Sequence, residues 1–379
     1  MAIFGNANPK QIVLPKNIRL LILLISAMAF SQEQNGKFTI DANYFYGNIL
    51  PHNNTIRHLI TEHPDGILIS FNKKTFGNKE WESTYNFPDY GASFHYENTK
   101  NEILGDLYGL YGHYNFYFLN RNLVFRIAQG IAYNTNPYDK ETNFRNLAYG
   151  TKWMPSTYFM LNYQKENFIN NFGIQAGLSF FHHSNANIQS PNTSTNTLAI
   201  NLGVNYSFDK SEQRQRFTKV YDTIINYKQP IKFNISFRTG INESDIIGSG
   251  QFPFYVLSSN IDKRLSRKSA LQFGTDFFAS RYLEEYIRFK SAAYPNENID
   301  RNTDYKRVGI FVGHELFVNR FSVETQIGYY VYSPFDYLGP FYQRVGLKYY
   351  FTDKIFASMA LKTHGAKAEG LEFGVGIRL

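Results

Sequence analysis

The sequence predicts an all-β fold, an antiparallel β-barrel that crosses a membrane. Apolar and polar residues alternate in many segments of roughly ten residues, the length of a tilted strand that crosses a bilayer. Aromatic residues make up 17% of the 379 residues, including 29 Tyr and 35 Phe, as expected of a barrel with aromatic girdles at its rims. The longest apolar run is too short for a spanning helix. Composition alone leaves a soluble β-sandwich open as the alternative.

The first residues predict export. Three basic residues precede the apolar run 20–30, and Ala29 and Ser31 provide the small residues that a signal peptidase requires. We therefore predict a secretory signal peptide over residues 1–31 and one barrel domain over residues 32–379. Export and strand alternation together favour the outer membrane of a Gram-negative cell.

Charge and cysteine content narrow the environment. The chain carries a formal net charge of +8 and no cysteine. No basic cluster stands out, so we expect attraction to anionic lipid headgroups and no binding of nucleic acid. The absence of cysteine is compatible with an oxidising compartment.

Alternation in individual segments predicts the strands. In the first segment Phe38, Ile40 and Ala42 lie on one face, while Thr39 and Asp41 lie on the other. Further strand-like segments follow along the chain at 66–71, 90–96, 104–118, 123–133, 148–163, 172–181, 197–208, 231–238, 254–261, 271–277, 308–318, 321–332, 345–351, 355–361 and 371–379. We expect roughly 14 strands, between about 12 and 16, in a single barrel.

Two features frame the second half of the chain. The charged segment 209–219 is read as a solvated connector that is long for a periplasmic turn. The final segment alternates up to the apolar Leu379, as a closing barrel strand would.

Three chemically active side chains lie on one face of the hairpin formed by segments 172–181 and 197–208. Residues two apart on a strand point the same way, so His182 and Ser184 continue the apolar face of the first strand. Asn196 continues the apolar face of the returning strand. A serine hydroxyl becomes nucleophilic when an imidazole takes its proton, and a third group must fix that imidazole. This pattern predicts an esterase with Ser184 as nucleophile, His182 as base and Asn196 as the orienting amide.

An esterase also needs donors for the oxyanion of its tetrahedral intermediate. The backbone amide of Ala186 and the side chain of Asn192 are the candidates in the loop after Ser184. The alternative reading of the same residues is a polar barrel rim without catalytic function.

The full motif resembles a known family. His182-His-Ser-Asn-Ala186, followed by Ser190-Pro-Asn192, is similar to the active-site hairpin of the lipid A 3-O-deacylases, the PagL-type acyloxyacyl hydrolases of the outer membrane. The resemblance implies that His182 and Ser184 are catalytic and face the lipid, and that Ala186 and Asn192 form the oxyanion hole.

The wider chain resembles a longer branch of that family, found in Bacteroidetes-like bacteria. The segments that carry this resemblance are 103–106, 130–133 and 362–369. The implied substrate is the 3-O-acyl chain of lipid A in the outer leaflet, cleaved by a membrane-embedded barrel, and a homodimer is compatible with this reading.

The third catalytic residue departs from the family pattern. The family carries Glu where this chain has Asn196, and a Ser-His-Asn triad resembles outer-membrane phospholipase A, which is the alternative function. That phospholipase uses calcium, which prefers several oxygen ligands including carboxylates. No Asp or Glu lies between Asn185 and Asn196, so we expect a deacylase without cofactor or metal. Calcium is expected only under the phospholipase alternative.

Other residues are secondary candidates. Asn185 and Lys367 are predicted to contact substrate, Lys367 through the phosphates of lipid A, and Glu369 is a candidate to assist His182. His183 faces the opposite side of the strand by parity and is predicted to form hydrogen bonds in the lumen. A non-catalytic barrel that serves as a channel or structural element is the further alternative.

Overall fold

The protein folds into two β-barrels of eight strands each. The computed structural model describes residues 38–51, 53–208, 229–365 and 367–379. Sixteen antiparallel strands close as two separate barrels, β1–β8 and β9–β16. The number of strands lies within the predicted range, but they form two barrels where we expected one. The predicted signal peptide and the predicted connector 209–219 lie outside the described residues.

The strands of the first barrel are β1 Phe38–Ile49, β2 Asp65–Lys73, β3 Asp89–Asn98, β4 Leu107–Phe118, β5 Leu123–Asn134, β6 Trp153–Ile169, β7 Phe172–His183 and β8 Thr195–Ser207. Those of the second barrel are β9 Lys232–Glu243, β10 Gln251–Arg264, β11 Ser269–Ser280, β12 Arg307–Val318, β13 Phe321–Tyr332, β14 Phe341–Tyr350, β15 Ile355–His364 and β16 Lys367–Arg378. Helix α1, Glu80–Thr84, follows β2, and helix α2, Arg281–Ala293, follows β11. Short 3-10 helices span Asn54–Leu59 and Pro295–Glu297.

Each barrel closes through a pair of strands that lie far apart in its sequence. In the first barrel Ala42 of β1 pairs with Val204 of β8. In the second barrel Phe237 of β9 pairs with Val375 of β16. Every strand therefore has a partner on both sides, and neither sheet has an open edge.

The two faces of the strands have opposite chemistry, because side chains alternate along a strand. On β8, Leu198, Ile200 and Leu202 are exposed on the outer surface, whereas Thr197 and Asn201 are buried in the lumen. The other strands repeat this pattern of exposed large apolar and buried polar residues. An apolar outer surface and a polar interior are the reverse of a water-soluble barrel and typical of one that faces lipid.

The lumens are filled by paired charges. In the first barrel the Arg126 guanidinium contacts the Asp41 carboxylate at 2.7 Å. In the second barrel Arg344 contacts Glu372 at 2.7 Å and Asp276 at 2.8 Å. Burying a charge is costly unless it is paired and hydrogen-bonded, so these contacts permit the polar lumens.

The barrels also contact each other. The hydroxyl of Tyr85, just after α1, donates to the carbonyl of Phe317 on β12 at 2.5 Å. At the other end, loops that follow odd-numbered strands meet beside the predicted active site. Within the described residues, neither helix has the length and apolar character that a membrane-crossing helix needs.

Candidate active site

The hairpin β7–β8 places His182 directly opposite Asn196. The two residues are register partners at the end of the hairpin, on the outward face that also carries Leu178 and Leu198. The imidazole Nδ1 lies 2.6 Å from the Asn196 Oδ1 atom. An amide oxygen only accepts hydrogen bonds, so Nδ1 carries the proton and Nε2 has a lone pair. His182 therefore has the tautomer that a general base requires.

Ser184 is the first residue after β7. Strand parity predicted its side chain on the outward face, but the structure largely buries it, with 8% exposed. Its hydroxyl donates to Asn192 Oδ1 at 3.1 Å. Its oxygen also accepts from the backbone amide of Ala186 at 3.1 Å. The structure thus brings together the predicted nucleophile and both predicted oxyanion donors.

Two hydrogen bonds to Oδ1 fix the orientation of the Asn192 side chain. Besides the Ser184 hydroxyl, Asn192 Oδ1 accepts the backbone amide of Asn185 at 2.9 Å. These two bonds identify Oδ1 and leave the Nδ2 amide group as the donor end of the side chain. Asn192 can therefore both hold the nucleophile loop and offer N–H groups to a developing oxyanion.

The loop backbone at Ala186 is unusual. Its φ is +54°, and that of Asn187 is +63°, both in the left-handed region that side chains with a Cβ adopt at a cost of about 1 kcal/mol. The turn directs the Ala186 amide toward Ser184. Strain of this kind persists where the surroundings hold the loop in place.

Asn185 lies inside this loop. Its side chain is fully buried and its Nδ2 group donates to the Gln189 carbonyl at 2.6 Å. The structure therefore gives Asn185 a role in shaping the loop and does not bring its side chain to the surface where substrate contact was predicted.

The second barrel holds the loop from one side, which the sequence reasoning missed. The Glu243 carboxylate, at the end of β9, accepts the Ser190 backbone amide at 2.8 Å. The Ser190 hydroxyl donates to the Ser244 carbonyl at 2.6 Å, and the Asn187 side chain donates to the Glu243 carbonyl at 2.9 Å. No spacing in the sequence connects residues 187–190 with residue 243, so only the tertiary structure identifies this contact.

The loop between β5 and β6 holds the same segment from the other side. The backbone amides of Thr193 and Ser194 donate to the carbonyls of Leu147 and Ala148, each at 3.1 Å. Gly150 packs so closely that a Cβ there would lie 2.6 Å from the Gln189 carbonyl oxygen. The catalytic loop is therefore clamped between β9 and the β5–β6 loop.

The structure gives the two remaining candidates, Lys367 and Glu369, other partners. Lys367 is partly exposed and pairs with Asp245, close to the ring of Tyr337. Glu369 is buried in the second lumen, where it pairs with Lys362 at 2.8 Å and also with Arg307 and His364. The hypothesis that Glu369 assists His182 is wrong, because its carboxylate is enclosed in the other barrel.

The Glu243 carboxylate lies next to this loop, but both of its oxygens already accept hydrogen bonds. One Glu243 oxygen accepts from Ser190, and the other accepts the Gly250 backbone amide at 3.2 Å. Both oxygens are thus bound to backbone donors, whereas a calcium ion needs oxygens that face the ion. Glu243 is a structural acceptor in this arrangement.

Comparison with known proteins matches both barrels to one family. Residues 65–205 match the family described as lipid A 3-O-deacylase (PagL). Residues 231–379 match the family described as acyloxyacyl hydrolase, C-terminal domain. No curated protein matches the sequence.

Solved structures of outer-membrane proteins cover most of the chain at low similarity. The Acinetobacter baumannii outer membrane protein Omp33 has 8% identity over 92% of this chain and 99% of its own, with a TM-score of 0.17. A bacterial polysaccharide outer membrane secretin has 11% identity over 92% of this chain and 100% of its own, with a TM-score of 0.21. A mutant porin of Rh. blastica has 9% identity over 90% of this chain and 99% of its own, with a TM-score of 0.18.

The assignment therefore rests on the two family models, one matching the first barrel from β2 onward and the other matching the second barrel. The chain belongs to the PagL-type family of lipid A deacylases, and it is an ester hydrolase.

Proposed function

We propose that this protein is an outer-membrane serine esterase that removes the 3-O-linked acyl chain of lipid A. Ser184 is the nucleophile, His182 the general base and Asn196 the residue that orients the imidazole. The observation that carries the proposal is the 2.6 Å hydrogen bond between His182 Nδ1 and Asn196 Oδ1. His182 lies on the outward, apolar face of the barrel, two residues before Ser184 in the chain, where an acyl chain in the bilayer could reach it.

The outer surface supports the location. Large apolar side chains such as Leu178, Ile200 and Leu202 surround the hairpin below the site, as expected for strands in contact with lipid. The site lies at the end of the odd-numbered strand β7. If the chain enters β1 from the periplasm, this end faces the extracellular leaflet, where lipid A resides.

The geometry suggests how the reaction would proceed. The hydroxyl hydrogen of Ser184, which is directed at Asn192 Oδ1, must pass to His182 Nε2 as Oγ attacks the ester carbonyl carbon. The resulting imidazolium keeps its Nδ1–H bond to Asn196. It then gives the Nε2 proton to the departing 3-hydroxyl oxygen of the sugar, and an acyl-Ser184 ester remains.

The second half repeats the first with water. His182 takes a proton from water, whose oxygen attacks the acyl-Ser184 carbonyl, and the fatty acid leaves as the proton returns to Ser184. The backbone amide of Ala186 and the Nδ2 group of Asn192 would stabilise the oxyanion in both steps. In the resting structure the Ala186 amide bonds to Ser184 Oγ itself, so it is already next to the reacting atom.

This mechanism needs no metal ion at the reacting centre. A positive charge on His182 and two oxyanion donors are sufficient to balance the charge that develops. The phospholipase alternative uses the same three residues and differs in the lipid attacked.

Mass spectrometry of the lipids of expressing cells tests the proposal. Cells that contain the wild type should lose one 3-hydroxyacyl group from lipid A, and cells that contain Ser184→Ala should not. Ser179→Ala is the matched control, because Ser179 lies on the same strand but faces the lumen. It should leave deacylation unchanged.

The same experiment discriminates among the other functions. Release of phospholipid acyl chains with intact lipid A would identify a phospholipase. If the lipids of all cells are unchanged although folded protein is present in the outer membrane, the protein is a non-catalytic barrel.

A further inference from the structure

Three buried side chains in the lumen of the first barrel direct metal-ligating atoms at one another. His95 and Glu97 lie on β3, and His183 lies on β7. Their ligand atoms all lie within 4.8 Å of one another, and all three side chains are fully buried. They form the only group of this kind among the described residues.

Four polar atoms of this group lack hydrogen-bond partners in the described part of the chain. These atoms are both ring nitrogens of His95, Glu97 Oε2 and His183 Nε2. A buried polar atom without a partner costs about 1–3 kcal/mol, and few occur in a native protein. Their concentration at one point therefore indicates a missing ligand.

The hydrogen bonds of Ser156 allow His183 Nε2 to be an acceptor. When the Ser156 hydroxyl donates to the His182 carbonyl at 3.0 Å, His183 Nδ1, at 2.9 Å from the same hydroxyl oxygen, is the donor of the second bond. In the neutral ring Nε2 then has a lone pair. It faces the Glu97 carboxylate oxygen at 3.4 Å, an arrangement of two acceptors that a cation between them would stabilise.

The two distances that involve the Glu97 carboxylate fit zinc. A tetrahedral zinc ion with bonds of about 2.1 Å separates neighbouring ligand atoms by about 3.4 Å. Glu97 Oε2 lies 3.4 Å from His183 Nε2 and 3.6 Å from His95 Nε2. Two imidazoles and one carboxylate are a donor set that zinc favours over calcium or magnesium. We propose that His95, Glu97 and His183 bind one Zn²⁺ ion, with water as the fourth ligand.

The surrounding residues orient these ligands. Thr197 donates its hydroxyl to Glu97 Oε1 at 2.7 Å, which leaves Oε2 for the metal. The His95 ring packs against the rings of Phe45 and Phe181, at centroid distances of 5.3 and 4.4 Å. Supporting contacts of this kind are a regular feature of metal sites.

The position of the site suggests a structural role. β3 and β7 lie on opposite sides of the eight-stranded barrel, so the ion would join its walls across the lumen. His183 stands between His182 and Ser184 in the sequence, and the ion would therefore fix the end of β7. It would do so from the face opposite the substrate. This inference departs from the expectation that no metal is bound, and it does not rest on the proposed function.

The experiment uses the full chain, purified in detergent and stripped of metal by a strong chelator during refolding. Zinc added back should bind at about one ion per chain and raise the thermal midpoint. Cobalt added instead should give the intense visible absorption of a tetrahedral site. Elemental analysis measures the stoichiometry, and no step of the measurement depends on esterase activity.

Substitution identifies the ligands. Glu97→Gln and His95→Gln should each weaken zinc binding by more than about tenfold, since each removes one of three protein ligands. His113→Gln is the matched control. His113 is also a buried lumen histidine, but both of its nitrogens are hydrogen-bonded, to Ser93 at 2.6 Å and to Asn72 at 2.8 Å.

Two outcomes would overturn the proposal. One is wild-type protein that refolds fully and takes up no stoichiometric zinc or cobalt. The other is binding that Glu97→Gln and His95→Gln leave as tight as in the wild type. The wild-type titration decides the first point even if a variant fails to fold.

Discussion

Glu243, the last residue of β9, accepts the backbone amide of Ser190 at 2.8 Å and so connects the second barrel to the loop that carries Ser184. Its second carboxylate oxygen accepts the amide of Gly250 at 3.2 Å, so the side chain is held at both ends. The three residues of the proposed triad, His182, Ser184 and Asn196, all lie on the first barrel or its loop. The second barrel therefore acts on the site by holding its loop, which gives a physical role to a domain that the chemistry itself does not require.

Replacing Glu243 tests this role. In Glu243→Gln the new amide group must face either the Ser190 or the Gly250 amide, and two donors then oppose each other. A buried donor without an acceptor costs about 1–3 kcal/mol, which is enough to displace the loop but not to unfold two barrels. We expect at least a tenfold loss of deacylation, measured as the rate of fatty-acid release from lipid A in mixed micelles.

Glu284→Gln is the control for that measurement. Glu284 lies on α2 in the same barrel and forms surface ion pairs with Arg281 and Arg288, so its replacement should leave the rate unchanged. Equal activity of Glu243→Gln and the wild type would contradict the role of the second barrel in loop positioning.

Asn196 should be replaceable by a carboxylate but not by an apolar residue. Asn196→Asp keeps an acceptor opposite His182 Nδ1 and adds a charge that stabilises the imidazolium, so activity should be retained or increased. Asn196→Leu removes the acceptor, and a misoriented imidazole lowers kcat by about 10²- to 10⁴-fold. Steady-state kinetics of the two variants check this. A fully active Leu variant would exclude the orienting role.

Asn192 should contribute through its amide nitrogen. Asn192→Asp keeps an oxygen for Ser184 and for the amide of Asn185 but replaces the Nδ2 donor with a second oxygen. Loss of one oxyanion donor typically lowers kcat by about 10²- to 10³-fold, and a negative charge at that point adds repulsion. Asn192→Asp should therefore bind substrate but turn it over slowly, as a fall in kcat at similar KM. A normal kcat would show that Asn192 does not donate to the oxyanion.

The sequence predicted the strand faces well, because the alternation of side chains is local. Parity placed His182 and Asn196 on the outward face, and the structure pairs them directly. It also placed His183 in the lumen, where its hydrogen bond to Ser156 confirms the prediction. The family motif added Ala186 and Asn192, and both lie against Ser184.

Strand parity is the same in one large barrel and in two small ones, so it could not predict how the barrels close. Closure depends on the long-range pairs β1–β8 and β9–β16, which local patterns do not encode. For the same reason neither Glu243 nor the pair His95 and Glu97 could be associated with the hairpin. Each reaches it only through tertiary contacts.

Removal of calcium should have no effect on deacylation. Glu243, which contacts the loop that carries Ser184, uses both carboxylate oxygens to accept backbone amides. Calcium binding would require Glu243 to give up those bonds. An assay buffer depleted of calcium should therefore leave the rate unchanged. A loss that added calcium restores would favour the phospholipase-like mechanism.

The charge network of the second lumen should control the stability of the second barrel and, through Glu243, the activity of the first. Arg344 is fully buried and contacts Glu372 and Asp276. In Arg344→Met these two carboxylates lose their shared partner, and breaking a buried ion pair on one side typically costs about 3–5 kcal/mol. Arg288→Met removes exposed pairs with Glu284 and Glu285 on α2 and should change stability by less than about 1 kcal/mol. Urea unfolding in detergent, followed by circular dichroism, should show an early loss of structure in Arg344→Met alone.

Deacylation by Arg344→Met should decline over the same urea range, because a loosened β9 no longer holds the loop. Activity that persists beyond this transition would show that the first barrel works without the second.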